Sequence, residues 1–282
     1  MNLIRQPINW RLSTTISVVA LTALCLLWIY PFLWLVSASL KTPLEIFQKG
    51  LDLRPNSLAW SNYERAWNQG GFSGYILNTV IVTLGTVLLV VFHCSLSGYV
   101  LGRYQFVGRR TIVGILAATF VIPLGFTIIP IVDLSRHLGL LNSHAGIVLA
   151  LGGSGQAAAI LLYAGFFSRI PKEVEEAAIV DGASFFRVYF SVMLPLAGPV
   201  TATVAVLTFL SAWNSFLVPL VFTFGNPDLR TVAVGMLAFV GTNETDWSGM
   251  AAAATLSLLP VVTFFFFVQK YFVEGVAGAV KS

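Results

Sequence analysis

An all-α membrane protein with six transmembrane helices is the fold class this sequence predicts. Composition is the first reason: 57% of the residues are hydrophobic and only 10% charged, with a mean hydropathy of +0.84. A soluble domain is about 25% charged. The second reason is that the apolar residues fall into six runs, each about as long as the roughly 20 residues a membrane-crossing helix needs. The third is where the charges sit. Seven of the 28 charged residues are concentrated in residues 168–199, between two such runs. Residues 1–282 therefore read as a single transmembrane domain in contact with membrane lipid.

The first run covers 12–40 and contains no charged residue. It follows Arg5 and Arg11, as a signal peptide would, but it is too long for one and no small-residue cleavage site precedes Lys41. It reads as a retained span, distorted near Pro31. Residues 41–72 mix charges with Trp60, Tyr63 and Trp67 and read as an extramembrane loop with interfacial aromatics. The second span covers 74–101 and runs into Arg103, Arg109 and Arg110. The third, 111–134, contains Pro123 and Pro130, and a turn with Arg136, His137 and His144 leads to the fourth, 145–167. After the charged segment 168–195 come the fifth span, 196–224, a loop, and the sixth span, 250–272.

Orientation follows from the excess of cationic residues on the cytoplasmic side of membrane proteins. With both termini cytoplasmic, the inside segments hold Arg5, Arg11, Arg103, Arg109, Arg110, Arg169, Lys172, Arg187, Lys270 and Lys281, ten in all. The outside segments hold six: Lys41, Lys49, Arg54, Arg65, Arg136 and Arg230. The segment 168–195 then faces the cytoplasm. The loop 225–249, with Asp228, Arg230, Glu244 and Asp246, lacks a positive excess and faces outward.

The same residues exclude several functions. The formal charge of +4 is spread out and forms no basic stripe for nucleic acid. Cys25 and Cys94 lie in apolar runs, and His93, His137 and His144 have no metal-ligand spacing, so no metal site is expected. Paired acids or a Ser–His pair inside spans, which an intramembrane enzyme needs, are missing. Asp133 is the one acidic residue near a span interior, too little for the proton relay and buried coupling sites of a secondary transporter.

The charged segment reads as two short amphipathic helices. Pro171 fits a first helical turn, and Glu173, Glu175 and Glu176 suit the positive end of the helix dipole. Ala177 and Ala178 give a small face, Gly182 stops the helix in a left-handed conformation, and Ser184 caps a second helix rich in Phe and Tyr. Pro195 and Pro199 break that helix before the fifth span. An interfacial pair lying on headgroups is one reading. The small-residue face, which lets another backbone approach, favours docking on a soluble partner.

Glu176-Ala177-Ala178, then Asp181-Gly182-Ala183, then Leu194-Pro195 resemble the signature loop of permease subunits of bacterial binding-protein-dependent ABC importers. Further stretches are similar to the second permease of the maltose-type carbohydrate branch: Ser39-Leu40-Lys41, Asn78, Ala212-Trp213-Asn214-Ser215-Phe216, Gln269-Lys270-Tyr271-Phe272 and Gly278-Ala279-Val280-Lys281. Ser215 departs from the pattern, since many relatives carry an acid there. The resemblance covers nearly the whole chain. It implies a non-catalytic pore subunit in the bacterial inner membrane that moves a sugar or sugar-like solute inward. It also implies a second, non-identical permease, two cytoplasmic ABC ATPases that hold ATP and Mg, and an extracytoplasmic solute-binding protein against which the loop 225–249 would lie. This chain has no P-loop pattern and is expected to bind no cofactor itself. The alternatives are a permease for a non-sugar solute, such as glycerol phosphate or an oligopeptide, and a secondary transporter. Asn78, Gln156, Trp213 and Asn214 are the intramembrane side chains suited to a sugar's hydroxyls and ring faces, although each also suits a helix-packing hydrogen bond. Gly152-Gly153-Ser154-Gly155-Gln156 reads either as a close-packing seam or as an unwound stretch beside a pathway.

Overall fold

The computed structural model describes residues 10–241 and 244–280. Arg5, Thr242 and Lys281 lie outside them, as do the side chains of Arg11 and of Lys270 onward. The described residues are helical apart from loops and one isolated bridge between Val240 and Thr245. By their internal contacts they group into two compact units, one of residues 10–70 with 238–258 and one of 71–237 with 259–280, apart from 242–243.

In the first unit, α1 (Trp10–Ala38) is apolar all round and runs unbroken through Pro31. It leads into α2 (Pro43–Lys49), whose N-cap Thr42 accepts from the Glu45 N–H, and then into the one-turn α3 (Ser61–Glu64). The buried Asn62 amide donates to the carbonyls of Ser39 and Lys41, 2.8 Å each, and fastens this loop to the end of α1. Arg65 makes a bidentate ion pair with Asp246 at 3.0 Å, and Asp246 also accepts from the Gly249 N–H at the start of the last helix.

The second unit is organised around α4 (Phe72–Arg103), 32 residues long. The broken spans are α5 (Arg109–Ala118) with α6 (Ile128–His137), bent by 99°, and α7 (His144–Gly153) with α8 (Ala157–Phe167), bent by 58°. The segment 168–195 contains α9 (Lys172–Val180) and α10 (Phe185–Val188), a π-turn over Tyr189–Met193, and α11 (Leu194–Leu196). Then follow α12 (Gly198–Trp213), α13 (Leu217–Phe222) and the short α14 (Val232–Gly235). The last helix, α15 (Trp247–Val280), continues from the first unit into the second. Three helices can each cross a membrane by length and composition: Thr14–Ala38, Phe72–Arg103 and Trp247–Gln269. Counting each bent pair as one span brings the number to six.

Two expected spans differ in detail, for local reasons. The third breaks because a residue before proline is driven out of the helical region: Ile122 is extended, as is Pro123 itself. The stretch 196–224 is two helices. α12 stops at Asn214, and α13 starts only after Phe216. The bent pair formed with α12 instead takes in Phe185–Leu196, at 79°.

Lipid is as apolar as leucine, so helices in a membrane associate through close packing and hydrogen bonds. Gly98 and Gly102 allow this where α4 meets α8. A Cβ at Gly98 would stand 2.3 Å from that of Tyr163, and one at Gly102 2.6 Å from the Ala164 carbonyl. Around this seam lies a core of Val90, Cys94, Tyr99, Tyr163, Phe167, Val188, Tyr189 and Met193. The Tyr189 hydroxyl meets Ser95 Oγ of α4 at 2.6 Å, so the charged segment is rooted in the helical core.

Candidate functional site

The island 168–195 is built from its helix ends inward. Pro171 stands at the N-cap of α9, one position before the first turn the sequence suggested. The far end closes as a Schellman motif. The Ala183 N–H donates to Ala178 O (3.0 Å) and the Gly182 N–H to Ile179 O (2.9 Å), with Gly182 at φ +79°. Ser184 precedes α10 in an extended conformation but makes no side-chain cap.

The island has an inner and an outer face. Ala178, Ala183 and Leu194 pack on the core, whereas Glu176, Ala177, Asp181, Gly182 and Pro195 are exposed. The small face is thus not the Ala177–Ala178 pair, because Ala178 turns inward. The outer surface also carries Ile179, Val180 and Phe186, with Val180 86% exposed. Apolar side chains displayed between Glu176 and Asp181 form a mixed surface suited to a protein partner.

What holds that surface in place is Glu175, which the sequence places only among the carboxylates at the positive end of the helix dipole. It is buried, and Arg103 at the end of α4 donates from Nε to its Oε2 at 2.7 Å. The hydroxyls of Tyr99 (2.5 Å) and Tyr104 (2.9 Å) both donate to Oε1. Arg103 also donates to the Ile170 carbonyl at 2.6 Å. Burial pushes the Glu175 carboxyl upward. The hydrogen bonds from Tyr99, Arg103 and Tyr104, with the Arg103 charge, outweigh it, and the net shift is downward. The first helix of the island is therefore bolted to the end of the central helix by a charge-assisted cluster. The only cue in the sequence was an arginine and two tyrosines closing a long apolar run.

A second feature is a cavity of about 300 Å³ inside the second unit. Its polar lining consists of Thr86, Thr127, Ser154, Gln156, Thr208 and Ser211, and no charged side chain lines it. The break between α7 and α8 forms one wall, with Ser154 extended and Gly155 at φ +70°. The close-packing reading of this glycine-rich stretch holds at Gly152, which packs closely on Leu89, and the helix is broken beside the cavity at Ser154 and Gly155. Thr86 is 2% exposed and its Oγ1 has no hydrogen-bond partner within the protein.

Of the four residues suited to a solute, the structure brings only Gln156 to this cavity. Its Nε2 donates to the carbonyls of Leu151 (3.0 Å) and Ser154 (2.9 Å). Asn78 is buried elsewhere, its amide donating to the carbonyls of Asp228 (2.6 Å) and Arg230 (3.0 Å) while His144 Nε2 lies 2.9 Å from its Oδ1. Trp213 is buried against Phe209, with ring planes 14° apart. Asn214 is exposed at the end of α12 and donates to Leu210 O. None of these three lines the cavity.

Residues 94–278 match the family described as "Binding-protein-dependent transport system inner membrane component", and the chain belongs to that family. It is thus a multi-pass membrane protein of the ABC permease class. It is 34% identical to a probable ABC transporter permease protein, YurM, of Bacillus subtilis, over 90% of this chain and 84% of that one. It is 33% identical to the diacetylchitobiose uptake system permease protein NgcG of Streptomyces coelicolor, over 92% and 86% of the two chains. The probable starch degradation products transport system permease protein AmyC of Thermoanaerobacterium thermosulfurigenes is 34% identical over 92% and 94%. Among solved structures, a chain of a bacterial ABC transporter involved in the import of the polysaccharide alginate superposes with a TM-score of 0.75. It is 26% identical, and the match covers 96% of this chain and all of that one.

Proposed function

We propose that this chain is the pore subunit of an importer that moves a sugar or sugar-like solute inward, with ATP hydrolysed on separate subunits. The observation that carries the reading is the island: an exposed mixed surface, ended by a Schellman turn and bolted through Glu175 and Arg103 to the central helix. Such an element passes a push from a soluble partner into the spans as a rigid body. Relatives named for diacetylchitobiose and starch-product uptake support a carbohydrate solute. So does the uncharged, hydroxyl-bearing cavity, lined by Thr86, Thr127, Ser154, Thr208 and Ser211 together with Gln156.

In this reading both termini and the island are cytoplasmic. The chain is non-catalytic, two ABC ATPases carry the ATP and Mg, and an extracytoplasmic receptor delivers solute to the loop 225–249. A second, non-identical permease completes the pore. Reconstitution in proteoliposomes tests this. With both permeases, the ATPase and the receptor, a neutral oligosaccharide should accumulate with ATP, and omission of this chain should abolish uptake. Undiminished uptake without this chain would refute its role, and full uptake without the other permease would refute the heterodimer.

A further inference from the structure

The loop after α1 carries a pattern of hydrogen bonds that a water-exposed loop does not need. Tyr30, Trp34, Ser37 and Lys41 lie at separations of 4, 3 and 4 on one stripe of α1 and its extension. Their side chains donate to four consecutive carbonyls of the returning chain. Tyr30 Oη reaches Leu51 O, Trp34 Nε1 reaches Gly50 O (2.8 Å), Ser37 Oγ reaches Leu53 O (2.7 Å) and Lys41 Nζ reaches Asp52 O. Residues 51–53 are not helical, so their carbonyls have no ladder of their own. Water serves such groups in a soluble loop, whereas in a bilayer the protein must supply each partner. Lys41 is fully buried in this role.

The depth follows from the same contacts. From Tyr30 to Ala38, where α1 ends, is eight residues, or about 12 Å at roughly 1.5 Å per helical residue. The returning chain turns at Gly50, whose φ of +53° suits glycine, and its four consecutive carbonyls lie beside this stretch, reached by side chains from above and below. The apolar run begins just past Arg11, and about 20 residues cross a hydrocarbon layer, so Tyr30 marks its far boundary. The fold-back spans the interfacial layer beside the final turns of α1.

Its outer face has the matching chemistry. Leu44, Phe47 and Leu51, spaced three and four apart, are 67%, 68% and 71% exposed. Phe32, Leu33 and Val36 near the end of α1 are exposed as well. Of the fold-back's polar side chains, Glu45 is 5% exposed, pairs with Lys49 at 3.4 Å and accepts from the Asn56 N–H, while Gln48 and Asp52 stay exposed, as groups facing the headgroup and water side would be. Phe47 meets the half-exposed Trp247 edge-on, an indole of the kind that marks membrane interfaces.

We propose that residues 43–53 form an interfacial hairpin embedded in the membrane surface, with Leu44, Phe47 and Leu51 against lipid acyl chains. The test is spin labelling at Leu44→Cys, Phe47→Cys and Leu51→Cys, one at a time, in a Cys25→Ser background of the assembled transporter in liposomes. Ser57→Cys, at an exposed polar site, is the aqueous control. Collisions with oxygen should exceed those with a water-soluble nickel chelate at all three labels, with the largest excess at Leu51, and the order should reverse at Ser57. Nickel-dominated collisions at the three sites would show an aqueous loop. Labels shielded from both reagents would show a protein partner on this face. Either result overturns the proposal.

Discussion

Gly182→Trp is expected to leave the chain inserted and assembled in the membrane while solute uptake collapses and ATP hydrolysis continues, no longer coupled to it. Gly182 sits at φ +79°, where an L side chain costs about 1–2 kcal/mol. Among the described residues nothing lies within 4 Å of a Cβ placed there, so a side chain starts out into open space. It projects from the exposed turn beside Asp181 and Val180, into the space a docking partner would occupy. The damage therefore falls on the docking surface and spares the buried core. Gly182→Ala carries the backbone cost without the bulk and should retain much of the uptake. Transport assayed beside ATP hydrolysis in the same vesicles separates these outcomes, and normal transport by the tryptophan variant would contradict the docking role.

Breaking the Glu175–Arg103 pair should be as severe. The two side chains are 10% and 6% exposed. Removing one partner of a buried pair costs on the order of 3–5 kcal/mol, because the other charge is stranded. Glu175→Arg places two cations together and should release α9 from the end of α4, whereas the exchange Glu175→Arg with Arg103→Glu should recover part of the loss. Glu175→Gln still accepts from the tyrosines and should be milder. The pH dependence has a definite sign. Since the Glu175 pKa is depressed below the ordinary 4.5, its stabilisation is fully present above that value. It is lost only as pH falls through the lower folded value. Mobility of a spin label at Val180 should accordingly stay flat through neutrality and rise only in acid. A rise near pH 7 would contradict the pairing.

Much of the helical framework could be read from residue patterns, because hydropathy and prolines act locally. The apolar runs became helices, Gly182 ended its helix as its place after Asp181 implied, and Pro123 broke the third run. The parts that stayed hidden depend on contacts between distant residues. Arg103 and Glu175 are 72 positions apart, and nothing in the spacing of either distinguishes it from Arg109 or Glu176. Asn78 has the chemistry of a solute ligand, yet it meets carbonyls 150 and 152 residues away and is spent on them. Ala177 and Ala178 are adjacent and identical, and only the packing of α9 decides that one faces out and the other in.

The docking role of the island can be tested most directly by cysteine cross-linking in intact membranes. Cysteine at Val180, the most exposed apolar residue of α9, would be paired in turn with single cysteines on the surface of the ATP-hydrolysing subunit. A disulfide between the two subunits, with no labelling of that cysteine by an impermeant reagent applied outside intact cells, is the expected result. Labelling from outside, with no cross-link to the ATPase, would contradict it.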